Sequence, residues 1–237
     1  RLREWDGRLD AGSAGAAIFE LAAVHLLEMV FGDKLGPAKE AYMGRGLSPT
    51  APMSGVVERA VSRLMEWLQK EESIWFTEVK TGRRRTREAL LAEALARAVR
   101  TLRLMVGDDT RRWQWGRIHQ VKFVHPLGTA RPFRRLFNRG PFPLGGGGDT
   151  VAAAVFPTRI PIGMTYIVSS YRQLLDLADW DRSLAVHTTG QSGQPGHPHY
   201  ADLMHLWREG EYHPMLWTRE KIEARTEARL RLEPTDT

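Results

Sequence analysis

Residues 13 to 31 constrain the fold more than any other stretch. Ile18, Phe19, Leu21, Val24, Leu26, Leu27, Met29 and Val30 recur at helical spacing and nearly encircle the axis. A helix that is apolar all round has to be covered on all sides, so the chain must build a body around it. Ser13 is placed to cap its start, and Gly32 to end it. Glu20, His25 and Glu28 interrupt the run, which makes it a poor membrane span, and none is expected.

The remaining helices are narrower. Ser54 is expected to cap a helix to about Lys70, with Val57, Ala60, Val61, Leu64, Met65 and Leu68 at three- and four-residue spacing. Thr86 is expected to cap another, to about Val106, with Leu90, Leu91, Ala94, Leu95, Ala98, Val99, Leu102 and Met105 as its buried stripe and Gly107 after it. Between the first two, Gly and Pro residues from 32 to 53 read as short helix and loop. Near residue 110 the period changes. Arg117–His125 alternates as a strand does, and Pro126 stops it. Thr150–Phe156, Tyr166–Leu177 (one strand or two) and Leu184–Thr188 read as strands, with Asp179–Arg182 turning between the last two. A helix follows from about Tyr200 to Arg208, and Thr218 is placed to cap a last one. Helices, then strands, then helices make an α+β chain with antiparallel pairing. The expected division is a helical region, 1–110, and a strand-bearing region, 111–237.

Composition limits the chemistry. With 42% apolar and 26% charged residues in 237, the chain is of the globular class. It has no cysteine, which excludes disulfides, thiol catalysis and zinc–thiolate sites. Of 34 basic residues 28 are Arg, and residues 83–139 carry a net +11 while the rest of the chain carries −5. Such a segment can bind a polyanion, but on a globular domain it is more often a solvated face or an internal interface.

No motif specifies a catalytic set. The run Gly145–Gly148 lacks a following Gly-Lys-Ser/Thr and leads into a strand, where a phosphate loop needs a helix N-terminus. Gly190–Gln194 is near a nucleophile elbow around Ser192 but has Gln194 where Gly is required; His187, His199 and Asp202 complete a triad only on paper. His197 and His199, with Asp202 nearby, have a spacing that could chelate a metal, but a third and a fourth ligand at convincing spacing are not evident. Trp113 and Trp115 among arginines resemble a single-strand stacking surface, though alternate tryptophans more often bury an edge of a core.

Several longer strings occur in a fixed order. Trp113-Gln114-Trp115-Gly116-Arg117-Ile118-His119 is followed by Phe123-Val124-His125-Pro126-Leu127 and by Phe137-Asn138-Arg139-Gly140-Pro141-Phe142-Pro143. Then come Gly145 to Asp149-Thr150, Thr189-Gly190-Gln191-Ser192-Gly193, His199-Tyr200-Ala201-Asp202, Trp207, and Gly210-Glu211-Tyr212-His213-Pro214. Together these strings closely resemble the C-terminal part of the β-subunit of penicillin acylases, which are N-terminal-nucleophile hydrolases related to acyl-homoserine-lactone and cephalosporin acylases. Glu4-Trp5-Asp6-Gly7 and Trp75-Phe76 are similar to the helical region that precedes them.

The resemblance implies an αββα sandwich made by a self-cleaving precursor. It implies hydrolysis of linear amides by an N-terminal Ser whose own amine is the base, its pKa of about 8 lying near working pH. It implies a periplasmic or secreted protein. No residue here matches the family's nucleophile, oxyanion Asn or calcium ligands, which lie upstream in the family, so no catalytic residue and no cofactor are assigned to this chain. Alone it is expected to be inactive, its partners being the rest of the β-subunit, the α-subunit and a small amide substrate, without nucleic acid. Asp149, Gln191, His199, Tyr200 and Asp202 are expected to order loops, and His119 and Asn138 to pin strand ends. The alternative is a non-catalytic module that binds a polyanion through the Arg-rich segment.

Overall fold

The computed structural model describes residues 2–43, 56–157, 163–165 and 167–234. Two compact units are present, Arg1–Val168 and Ser169–Thr237. The change from helical to strand patterning near residue 110 falls inside the first.

The first unit is organised around α1 (Ala14–Leu27). The Ser13 side chain accepts from the Ala16 N–H, capping a free donor of the first turn. The helix does not stop at Gly32. It widens into a π-helical turn, Glu28–Gly32, and continues as α2 (Asp33–Leu35). The break comes at Gly36, whose φ of +49° suits glycine and which Pro37 follows. A short α3 (Lys39–Met43) comes next. By length and composition the helical run Ala14–Met43 could cross a membrane, but most of its apolar stretch is buried inside the unit.

α4 (Val56–Trp67) and α5 (Arg87–Val106) cover α1. The expected cap of α4, Ser54, lies outside the described residues. In α5 the Thr86 side chain accepts from the Ala89 N–H, and Gly107 ends the helix at φ +93°. Ala16, Ala17, Ile18, Leu21, Ala22 and Val24 share one core cluster with Ala98 and Leu102; Leu26, Leu27, Met29 and Val30 share a second with Leu90 and Ala94. Early residues of α1 therefore meet late residues of α5, and the two helices run antiparallel. Alanines at 94 and 98 allow the close approach, each being fully buried. The buried stripe of α5 is narrower than its spacing predicts, because Leu95 and Met105 stay exposed; on α4 Met65 does so too. Trp67 stacks on Trp75 at 4.5 Å with Phe31 beside both.

The strands are shorter than expected. Arg117 and Ile118 belong to a helical turn, α6 (Trp115–Ile118), and β1 is Gln120–Phe123. Trp115 and Ile118, three apart, both point into the core, which favours a turn over alternation. β1 pairs antiparallel with β2 (Arg139–Pro143), Val121 opposite Phe142. Pro141 and Pro143 hide β2 from a propensity reading, yet a two-stranded ribbon has only edges, where proline is tolerated. α7 (Arg134–Phe137) lies in the connection between β1 and β2. Of Thr150–Phe156 only β3 (Ala154–Val155) is a strand, pairing with β4 (Ile167–Val168). Thr150 hydroxyl bonds to Gly147 and Ala152 hold the preceding residues in a turn. Tyr166 lies outside the described residues.

The second unit holds a three-stranded antiparallel sheet, β5 (Tyr171–Leu174), β6 (Leu184–His187) and β7 (His213–Pro214), in that spatial order. Tyr171 faces His187 and Ala185 faces His213 across it. Asp179 caps the turn between β5 and β6. α8 (Leu203–Glu209) packs on β6, starting later than expected because Pro198–Tyr200 forms a separate 3-10 turn. Trp207 and Val186 are buried between them. The Trp207 indole N–H donates to the Ser169 carbonyl at 2.7 Å, and the Arg172 guanidinium lies 4.7 Å from its ring. α9 (Arg219–Ala224) follows Thr218, whose side chain makes no cap bond; its N–H and that of Trp217 go instead to Asp181. The chain is thus a mixture of helices and small antiparallel sheets, of α+β class.

Candidate functional site

The seven residues singled out from sequence fall in four places. His119, Asn138 and Asp149 lie in the first unit and do not converge. Gln191, His199, Tyr200 and Asp202 lie in the second, where three of them line one cavity.

His119 is fully buried at the end of α6. Its ring stacks on Trp115 at 4.6 Å and meets Phe156 edge-on. Nδ1 lies 2.8 Å from the Leu144 carbonyl and Nε2 3.1 Å from that of Ala154. Burial lowers its pKa, and the two carbonyls pull the other way. Asn138 bridges the β1–β2 connection. Its Oδ1 accepts from the His125 N–H at 3.0 Å and its Nδ2 donates to the Gly128 carbonyl at 2.9 Å. A Cβ on Gly128 would stand 1.9 Å from the Asn138 oxygen, so only glycine admits this clasp.

Asp149 is exposed, and its consequence is electrostatic. Glu20 lies against Gly147, and burial with the nearby Asp149 charge raises its pKa from 4.5 to about 7. Sequence reasoning noted Glu20 only as an interruption of an apolar helix. A carboxylate in a run of buried positions is itself the signal for such a shift.

The cavity in the second unit measures about 260 Å³. Tyr171, His187 and His213 come from the three strands, Gln191 from the loop after β6, and His199, Asp202 and Leu203 from the entry to α8. The strand pairings bring these histidines together, which no local motif encodes. His199 Nδ1–H donates to Asp202 Oδ2 at 2.7 Å, and that bond raises the His199 pKa. Gly190 makes the loop possible, since a Cβ there would stand 2.2 Å from the His199 carbonyl and 2.7 Å from Asp202 Oδ1. The Ser192 N–H donates to the His199 carbonyl, and the Ser192 hydroxyl accepts from the Gln194 N–H. The Tyr200 N–H donates to His197.

Geometrically this is an oriented imidazole without a nucleophile. No hydrogen bond joins Ser192 to the ring of His199 among the described residues, so the paper triad is not assembled. The His197 Nδ1 is occupied by the His199 N–H. Among the described residues no three His, Asp or Glu side chains are grouped to hold a metal ion. Glu20 and Asp149 bring only two carboxylates together. Trp113 and Trp115 are buried, with indole N–H groups donating to the Gly107 and Gly146 carbonyls, so they form no stacking platform for bases. The arginine run divides similarly: Arg85 is buried between Glu78 and Glu93, and Arg83 and Arg97 also reach Glu93.

Comparison with known proteins gives these observations a frame. An acyl-homoserine lactone acylase, QuiP, of Pseudomonas syringae pv. syringae is 29% identical over 223 residues, covering 90% of this chain and 25% of the relative. The penicillin acylase 2 proenzyme of Pseudomonas sp. (strain SE83) is 31% identical over 225 residues, covering 94% of this chain and 27% of the relative. The chain thus spans about a quarter of the length of the curated relatives it matches. A solved thermostable penicillin G acylase from Alcaligenes faecalis aligns with a TM-score of 0.48 and 16% identity, over all of this chain and 42% of that one. The penicillin amidase family model matches residues 1–224, and the chain belongs to that family.

Proposed function

We propose that this chain is the C-terminal portion of an amidohydrolase that cleaves linear amides into a carboxylic acid and an amine. The observation that carries this reading is the family match over residues 1–224 combined with coverage of about a quarter of each relative. Named relatives act as acyl-homoserine lactone acylases and a penicillin acylase, so an N-acyl amide with a compact amine leaving group is the substrate class.

The nucleophile in this reading is an N-terminal Ser outside the chain, freed by cleavage of a precursor. Its α-amine serves as general base, and backbone and side-chain donors elsewhere stabilise the oxyanion. The family's calcium ligands also lie outside. The residues described here act as scaffold within an αββα sandwich, 1–110 supplying helices and 111–237 strands and closing helices. His119 ties α6 to the segments bearing Leu144 and Ala154, Asn138 closes the β1–β2 connection, and Gln191, His199, Tyr200 and Asp202 hold the loop that enters α8. Asp149 tunes Glu20 beneath the glycine run. Arg83, Arg85, Arg87, Arg97, Arg103 and Arg111 are paired with acids within the chain, which weighs against a module that binds a polyanion through the whole Arg-rich segment.

The test is turnover. The purified 237-residue chain should not hydrolyse an acyl-homoserine lactone or a penicillin, whereas the matured precursor should. Turnover by the isolated chain contradicts the placement of the nucleophile, and none by the matured precursor contradicts the reading as a whole.

A further inference from the structure

Between Asp109 and Asp149 the chain has 39 residues with eight basic side chains and no Asp or Glu. Part of this stretch stands out from the first unit. The connection between β1 and β2 folds into two 3-10 turns, Pro126–Thr129 and Arg131–Phe133, and α7, which pack on one another. Residues 129–136 are exposed without interruption. Phe133 meets Phe137 edge-on at 6.2 Å, and Phe137 stacks on His125, so the knob is ordered from inside. Its outer surface carries Leu127, Phe133 and Leu136, each 47–56% exposed. Arg131, Arg134 and Arg135 stand among them with no acidic partner among the described residues.

This composition does not suit solvent. Bulky apolar groups and unpaired guanidinium groups side by side, with lysine absent, are what the core of a protein–protein interface selects. A second copy of the chain is a poor occupant, because an isologous contact would set arginine against arginine. The buried Trp113 and Trp115 remove the aromatic faces that a nucleic acid would use. A lipid surface would accept the charge, and vesicle binding is therefore the competing outcome of the test below. The chain spans about a quarter of the length of its relatives, so most of such a protein lies outside it.

We infer that the 126–137 knob is a docking surface for an acidic, apolar-centred segment of the remaining polypeptide of the same enzyme. Leu127, Phe133 and Leu136 form its centre, and Arg131, Arg134 and Arg135 pair with Asp or Glu of that segment. The inference rests on the reading of the chain as part of a larger amidohydrolase.

The chain has no cysteine, so the Leu136→Cys variant places one unique thiol at the knob. Maleimide labelling of this thiol, followed on its tryptic peptide, should be at least about tenfold slower in the matured, amidase-active enzyme than in the same enzyme unfolded in urea, since an interface excludes solvent from its centre. The Arg134→Glu, Arg135→Glu double variant should shed the rest of the enzyme at a salt concentration where the unaltered protein holds it, with the circular dichroism of the matured enzyme at low salt unchanged. An active enzyme whose thiol labels as fast as in urea overturns this inference and leaves the functional reading intact. Co-sedimentation of the active enzyme with phosphatidylglycerol vesicles, lost in the double variant, overturns it in favour of a lipid surface. A matured precursor without amidase activity overturns both.

Discussion

At His119 two influences oppose each other on one imidazole. Burial disfavours its charge and two carbonyls favour it, and burial wins. A histidine with a depressed pKa contributes stability that is whole above its unfolded value and is lost as pH falls below about 6.5. His119→Ala should therefore cost about 3 kcal/mol at pH 7.5, from the cavity and two lost partners, in urea unfolding. Part of the acid sensitivity below pH 6.5 should disappear with it. Glu20 has the opposite sign. Its pKa is raised from 4.5 to about 7, so folding binds a proton and stability declines as pH rises through that window. Glu20→Gln should raise stability by about 2 kcal/mol at pH 8 and change little at pH 4, read from melting curves across the range. The burial behind each shift was legible beforehand, but the partners were not. The sequence shows a polar residue among apolar ones, but which carbonyls and which second carboxylate it meets depends on segments about 25 to 130 residues away.

Among the elements, capping was legible at Ser13 and Thr86 but not at Thr218, and strand extent was not legible. Ser13 and Thr86 cap as their positions predict, because a cap is a contact three residues long. Gly32 misled as a stop signal because the helix absorbed it in a π-helical turn and ran on to Gly36. Arg117–His125 misled by its alternation because Trp115 and Ile118 both had to reach the core. The arginine run at 83–85 separates the bland reading of charge from the specific one. Arg85 is 4% exposed between two glutamates, and Arg84 has no acidic partner among the described residues. Arg85→Ala should cost about 2 kcal/mol because it removes a buried guanidinium with its packing and its two ion pairs, although Glu93 keeps Arg83 and Arg97, while Arg84→Ala should cost under about 0.5. Chemical denaturation of the two variants side by side measures the contrast. Asn138→Ala should open the β1–β2 connection, seen as faster amide exchange at His125 and Gly128 with a loss of about 1 kcal/mol.

For the whole molecule, fold class was readable from the order of periodicities, and family from strings such as Trp113–His119 and His199–Asp202 taken in register. No single string would have sufficed, because each serves packing: His119 and Trp115 fill a core, and Gly190 makes room for His199 and Asp202. The cavity lined by His187, His199 and His213 was hidden, since strand pairing and not sequence spacing brings those rings together. The central claim is that this chain supports a nucleophile it does not contain. Its most direct test is to treat the matured, active enzyme with a serine-directed sulfonyl fluoride and map the adduct by peptide mass spectrometry. The account predicts loss of amidase activity with one adduct, on an N-terminal Ser outside these 237 residues. An inactivating adduct on Ser192, or on any other residue of this chain, would contradict it.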